Sequence, residues 1–187
     1  MRSSAGSVLL HLDPRHDHPF LGRADVRRAL SRLIDRAELA DLVYGPAGAP
    51  TEALFPERHA GWTAPPATKG DLDELWPPPR SPITLQYGAG SAAAERAATY
   101  IQANLVRAGV PVQIQALPLG VLFERMRSGA HGELTLFGWR LHPRWDGASV
   151  LRSTGRQNWT GYSDPLMDQR VDALEVSVGS EAWARAA

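Results

Sequence analysis

The chain of 187 residues contains no cysteine. This absence excludes disulfide bonds, thiolate metal sites, iron–sulfur clusters and cysteine nucleophiles, although it leaves the cellular compartment open. Lysine is almost absent as well, because Lys69 is the only lysine among 20 lysine and arginine residues. Together with abundant alanine, glycine and proline, this bias is typical of a GC-rich genome, so arginine content alone says little about function.

Long apolar runs and net charge are also missing. No run approaches the roughly 20 residues of a membrane-spanning helix, and the apolar stretch 8–10 is too short for the core of a signal peptide. Acidic and basic residues balance at a formal net charge of zero, which argues against nucleic-acid binding by bulk charge. With 43% hydrophobic residues, the chain can bury a substantial core.

Hydrophobic periodicity predicts the elements of the first quarter of the chain. A short apolar run at 7–12 is typical of a strand, and apolar spacing predicts two helices, near 24–34 and 36–43. Asp35 and Glu38 have capping-box spacing, in which each side chain binds a free backbone N–H at the start of the second helix. We therefore expect the two helices to meet at Asp35.

The remainder predicts an α/β fold, with 1–187 forming one lobe. A proline-rich irregular segment at 46–82 precedes three predicted strands, at 83–87, 112–116 and 134–139. Helices are predicted between them, one opened by a Ser91 cap and one at about 119–128. Such short connections indicate a largely parallel sheet with helices on both faces. A last helix is predicted at 165–176, with Asp164 as its cap.

Candidate binding residues follow the predicted strands, because ligands of open parallel sheets lie beyond the carboxyl ends of the strands. Gly88 and Ser91 belong to a Gly-Ala-Gly-Ser turn whose free N–H groups could accept an anion. The turn lacks the third glycine of a dinucleotide fingerprint and the Gly-Lys pair of a phosphate loop. A tight turn without a ligand is therefore the alternative.

The loop after the third of these strands has the most unusual composition in the chain. It offers stacking surfaces, charged donors and an acceptor within eight residues, in the side chains of Trp139, Arg140, His142, Trp145 and Asp146. We predict that these side chains bind a ligand and are exposed where a partner surface would cover them. The alternative is a surface loop whose tryptophans cover the end of the sheet.

Other polar clusters favour structural roles. His16, Asp17 and His18 suggest a metal site, but a third or fourth ligand is missing nearby, so a solvated loop is favoured. A row of arginines on the first helix alternates with acids, and helix salt bridges explain it as well as nucleic-acid binding does. No serine-hydrolase elbow, zinc-protease motif or carboxylate pair stands out. We expect no enzymatic activity, no metal and no cofactor.

Three stretches together resemble a known family. Residues 25–39 look like a helix pair of the extracellular solute-binding proteins of family 5. Residues 83–139 are similar to the strand–helix–strand region of that family, which ends in Gly-Trp. The stretch from Asn158 to Asp168, with the sequence NWTGYSDPLMD, resembles the family pattern NxxgYsnPxvDxl. The order and spacing of the three are more specific than any one of them.

The resemblance implies a receptor of a bacterial ABC importer of the peptide and nickel type. Such receptors have two lobes that close on a small solute or short peptide and deliver it to an ABC permease. The chain resembles the second lobe only, and the expected location of the full protein is periplasmic or extracellular and membrane-anchored. The alternative is the solute-sensing region of a cytoplasmic transcription regulator. The favoured interpretation gives the chain no nucleic-acid partner, and we expect no transmembrane segment in this chain.

One departure from the family bears on the solute. Peptide-binding relatives carry an aspartate shortly after the Gly-Trp pair, and that aspartate holds the ligand's amino group. The matching position here is His142, flanked by Arg140 and Arg144. Because a cationic neighbourhood disfavours an ammonium group, the sequence predicts an anionic or neutral solute.

Overall fold

The structure is a computed structural model that describes residues 8–51, 77–140 and 148–173. Its strands are β1 (Val8–Pro14), β2 (Ile83–Gly88), β3 (Val112–Leu117) and β4 (Leu134–Arg140). Its helices are α1 (Ala24–Arg32), α2 (Arg36–Tyr44), α3 (Ala92–Arg107), α4 (Leu119–Ser128) and α5 (Ala148–Leu151), with a 3-10 turn at Gly45–Ala47. Residues 165–173 are also helical. Among the helices so described, none is both long and apolar enough to cross a membrane.

The four strands form one mixed sheet in the order β1-β4-β2-β3. β2 pairs in parallel with both β3 and β4, as the strand–helix–strand pattern predicts. β1 pairs antiparallel with β4, Leu12 opposite Leu136, and lies at one edge. The α/β class with a largely parallel sheet is therefore confirmed, with one antiparallel edge strand that periodicity alone does not assign.

Helices cover both faces of the sheet because the strands alternate their side chains. On one face the larger core joins α1, α2 and α3 to the sheet through buried residues that include Val26, Val43, Leu85, Ile101 and Leu136. On the other face a smaller core joins α4 to the end of β3 through Leu117, Leu122 and Met126. Both predicted layers are present.

Asp35 begins α2, as predicted. Its Oδ1 accepts hydrogen bonds from the N–H groups of Ala37 and Glu38, at 2.9 and 3.0 Å. The other half of the predicted capping box is wrong, since the Glu38 carboxylate accepts from the Tyr100 hydroxyl of α3 at 2.6 Å. A tertiary partner 62 residues away has replaced the local one, and it ties α2 to α3.

The predicted irregular segment 46–82 is described only at its two ends. Beyond the 3-10 turn, residues 48–51 and 77–82 are neither helix nor strand. Residues 52–76 lie outside the described part, as do the last three residues of the predicted helix at 165–176. Asp164 caps that helix as expected, because its Oδ1 accepts from Leu166 N–H at 2.9 Å.

Candidate ligand-binding site

The parallel strands bring their carboxyl ends to one edge of the sheet. Gly88, Leu117 and Arg140 end β2, β3 and β4 there. α3 begins four residues after β2 ends and α4 begins two residues after β3 ends, so both helix starts lie at this edge. Ligands of open α/β sheets bind at such an edge, and the predicted site residues lie in the last two residues of these strands or after them in the sequence.

The turn at Gly88 and Ser91 is built as a helix entry. The Ser91 hydroxyl caps α3 by accepting from Ala94 N–H at 3.2 Å. Ala89 N–H donates to the Leu117 carbonyl at 2.7 Å, which prolongs the β2–β3 pairing. A Cβ on Gly88 would lie 3.1 Å from the Leu119 side chain, so the turn packs closely against the start of α4. The binding role of Gly88 and Ser91 stays a prediction.

Trp139 lies near the carboxyl end of β4 and packs within an aromatic cluster. Its indole stacks with the His11 ring at 5.9 Å between centroids and with Trp159 at 5.6 Å. The Phe137 ring meets it edge-on at 5.4 Å. Trp139 is partly buried, because rings from β1 and from the loop before the 165–173 helix lie against it, and its exposure towards a partner surface stays a prediction.

The remaining predicted loop residues lie beyond what the structure describes. The backbone of Arg140 pairs with Val8 at the end of β4, but its side chain is outside the described part. His142, Trp145 and Asp146 fall in the undescribed stretch 141–147. Their role in binding remains a prediction.

Sequence reasoning missed most of the aromatic cluster, which we define as His11, Phe123, Phe137, Trp139 and Trp159. Phe123 from α4 meets both Phe137 and Trp159 edge-on, at 5.3 and 6.3 Å. The two-residue period of β4 puts Phe137 and Trp139 on one face, which was an available signal. Nothing local to Trp159 indicates that it belongs with them.

His11 brings a polar group to this cluster. Its Nδ1 lies 2.6 Å from Asp13 Oδ1 on the same strand, since residues two apart on a strand share a face. Its Nε2 is buried and has no hydrogen-bond partner among the described residues. The carboxylate and the Trp139 ring together fix the orientation of the imidazole.

Asn158 shapes the loop that carries Trp159. Its amide Nδ2 donates to the carbonyls of Arg152, Ser153 and Tyr162, at 3.1, 3.2 and 2.6 Å. Its Oδ1 accepts from Thr160 Oγ1 and from Tyr162 N–H, each at 3.1 Å. The asparagine of the NWTGY stretch therefore acts on its own loop, and it holds the backbone on both sides of Trp159.

The histidines near β1 make contacts with the backbone and with an aromatic ring. His18 Nδ1 accepts from the N–H groups of Phe20 and Leu21 at 3.3 Å. His16 meets the Tyr162 ring edge-on at 5.3 Å, and burial, with the Arg27 guanidinium nearby, lowers the pKa of His16. Within the described ranges, no group of three or more His, Asp or Glu residues could hold a metal ion.

The arginines of the first helix region are used in the same local way. Arg27 Nη1 donates to the carbonyls of Leu21 and Gly22, at 3.0 and 2.7 Å. Arg36 donates to the Ser31 hydroxyl at 2.6 Å. These contacts support the structural interpretation of the arginine row over nucleic-acid binding.

Comparison with known proteins adds a family and a fold. The model of the bacterial extracellular solute-binding proteins, family 5 Middle, matches residues 1–161. Comparison with curated proteins finds no match.

Solved structures share the fold at low sequence identity. The ABC transporter substrate binding protein CtaP from Listeria monocytogenes has a TM-score of 0.77 at 19% identity, over 89% of this chain and 38% of that one. Haemophilus influenzae OppA, in complex with the peptide RPPGFSPFR, has a TM-score of 0.73 at 15% identity, over 87% of this chain and 35% of that one. Staphylococcus aureus NikA, in complex with Ni(L-His)2, has a TM-score of 0.72 at 19% identity, over 90% of this chain and 40% of that one. The chain thus spans less than half of each of these proteins.

Proposed function

The chain belongs to the bacterial extracellular solute-binding proteins of family 5, and on that basis we propose that it captures a small solute or short peptide for an ABC importer. It acts by binding, without chemistry on the solute. The chain supplies one lobe of the site and a second lobe encloses the solute from the other side, outside the cytoplasm. The coverage of 35 to 40% of three solved relatives supports the single-lobe assignment.

The observation that carries this proposal is the surface at the carboxyl edge of the sheet. The Trp139 indole lies there, held by the other rings of the aromatic cluster. At the same edge α4 opens with apolar side chains that remain exposed, 52% for Leu119 and 38% for Val121. Exposed apolar side chains beside an aromatic ring are what a closing lobe or an enclosed solute would cover.

The charge after β4 restricts the class of solute. Arg140 and Arg144 flank His142 in the sequence, at the position where the family resemblance places the group that meets the ligand's amino end. Two guanidinium groups attract a carboxylate or another anion and repel an ammonium group. We therefore assign to this site an anionic or neutral solute, such as a peptide whose amino end is blocked.

Titration calorimetry on the full-length receptor tests this assignment with two matched probes. Trialanine and N-acetyl-trialanine differ only in the free ammonium group, so their ratio of affinities reports on the charge of that subsite. We expect the acetylated probe to bind roughly tenfold more tightly, the effect of one charge-assisted contact. Tighter binding of trialanine would contradict the assignment of an anionic or neutral solute.

Two variants test the position of the site. Trp139→Phe removes the larger ring at the sheet edge, whereas Phe123→Leu loosens the same aromatic cluster from its α4 side. We expect Trp139→Phe to weaken binding of N-acetyl-trialanine more than Phe123→Leu does. Equal losses in the two variants would show that the cluster is a packing unit and that the solute binds elsewhere.

A further inference from the structure

His131 is a buried histidine between α4 and β4 that neither the sequence motifs nor the binding proposal uses. Only 5% of it is exposed. Its Nε2 lies 2.8 Å from the carbonyl oxygen of Trp159, and its Nδ1 lies 2.9 Å from the carbonyl oxygen of Gly132. Because a carbonyl oxygen only accepts, either ring nitrogen can bond its carbonyl only as an N–H donor, and we assign the hydrogen to Nε2, which makes the shorter contact, to Trp159.

The residues around His131 are anchored to the sheet. Gly132 N–H donates to Gln86 Oε1 of β2 at 2.7 Å. Thr135 Oγ1 of β4 lies 3.3 Å from His131 Nδ1. The His131 carbonyl accepts from Arg15 Nη1 at 3.2 Å. These contacts hold the imidazole in place against β2 and β4.

Trp159, by contrast, belongs to a loop held mainly by its own contacts. Asn158 ties this loop to itself, and the His16 N–H bonds the Thr160 carbonyl at 2.8 Å. Within the described part, the His131 bond is the side-chain hydrogen bond that joins the Trp159 backbone to the sheet. On the other side of the same residue, the Trp159 indole stacks with Trp139 at an interplanar angle of 18°.

We propose that His131 is a positioning residue for the solute site, which sets the stacking of Trp159 on Trp139 through its bond to the Trp159 carbonyl. The link to solute binding rests on the proposed function; the link to the stacked pair does not. Without the Nε2 donor, the Trp159 backbone loses its tie to the sheet and the two indoles lose their fixed geometry. The position of the Trp139 indole at the sheet edge then becomes variable.

Two variants of similar volume isolate the donor. His131→Gln places an amide N–H near the position of Nε2, whereas His131→Met fills the same space without a donor. Stacked indoles give an exciton couplet in circular dichroism, and the spectra of Trp139→Phe and Trp159→Phe define the part that this pair contributes. We expect His131→Met to lose most of that couplet and His131→Gln to keep most of it.

These spectra are measured on the 187-residue chain, and each outcome supports or overturns the role of the Nε2 donor. A couplet that survives in His131→Met, or is lost equally in both variants, would overturn it, since the donor would not control the stack. His18→Ala, which removes a histidine whose ring accepts from the N–H groups of its own turn, should leave the couplet intact. If His131→Met does not fold, urea is added instead to the wild type and to His131→Gln. The couplet must then disappear at a lower urea concentration than the far-UV helix signal does. Simultaneous loss of the two signals would refute a role of His131 in the stack that is separable from folding.

A second readout separates this inference from the proposed function. In the full-length receptor we expect His131→Met to bind N-acetyl-trialanine roughly two- to tenfold more weakly than His131→Gln does, the worth of one hydrogen bond. Loss of the couplet with equal affinities would overturn the link between His131 and the site. Failure of the Trp139→Phe test would instead overturn the site itself and leave the effect of His131 on the stack standing.

Discussion

Replacing Asn158 by Ala removes the side chain that organises the loop around Trp159. The amide donates to three carbonyls and accepts from two donors. A typical hydrogen bond contributes about 0.5–1.5 kcal/mol net. Because the loop is only partly buried and water replaces some bonds, we expect the free energy of unfolding to fall by about 2–4 kcal/mol.

Urea denaturation followed by circular dichroism measures this loss. Asn104→Ala is the matched control, because the Asn104 side chain makes its hydrogen bonds within its own helix: Nδ2 donates to the Tyr100 carbonyl at 2.9 Å and Oδ1 accepts from Arg107 Nη1 at 3.3 Å. Alanine also favours the helix interior, so the control should change the free energy of unfolding by less than about 0.5 kcal/mol. Equal effects at Asn158 and Asn104 would refute the loop-organising role. Asn158→Asp sharpens the test, since it keeps the acceptor, loses the donors and should be no more stable than Asn158→Ala.

Two further substitutions test the packing and the electrostatics. Leu122→Ala should lower the free energy of unfolding by about 2–5 kcal/mol because that side chain is fully buried in the smaller core. Leu119→Ala, on the exposed side of α4, should lower it by less than about 0.5 kcal/mol. Similar urea midpoints for the two variants would contradict the placement of α4. Burial, followed by the hydrogen bond to Glu38, raises the pKa of Tyr100 to about 12. Because the folded pKa exceeds the unfolded value of about 10, this stabilisation is complete below pH 10 and is lost as the pH rises through 12. The urea midpoint of Tyr100→Phe should therefore fall less over this pH range than that of the wild type.

The strand and helix pattern of the region after residue 82 was predictable because it depends on local signals. Apolar residues spaced by two or by three to four, with a turn between them, predict each element of β2 to β4. α4 begins and ends where its pattern does, at Leu119 and Ser128. The caps at Asp35 and Ser91 were predictable for the same reason, since a cap and the N–H groups it binds lie within three residues.

The pairing of β1 and the aromatic cluster were not predictable in this way. β1 and β4 are separated by more than a hundred residues, and a short apolar run does not say which neighbour it pairs with or in which direction. Trp159 stacks on Trp139 from a loop that Asn158 organises and whose carbonyl lies 2.8 Å from His131 Nε2. The Asn158 bonds are local, but the His131 contact spans 28 residues, so no short sequence window contains the signal.

Whether a glycine can be replaced by alanine depends on the atoms that surround it in the folded protein, and Gly22 and Gly120 make a matched pair. A Cβ on Gly22 would lie 2.5 Å from the His16 carbonyl oxygen and 2.9 Å from that of His18, so Gly22→Ala must displace backbone. We expect a loss of about 1–3 kcal/mol, as for other overpacked sites. A Cβ on Gly120, in the first turn of α4, has no atom within 4 Å, and Gly120→Ala should stabilise the protein by up to about 1 kcal/mol through helix propensity. Urea midpoints that shift in the same direction for both variants would show that the turn at 16–22 is not as tight as its carbonyls indicate.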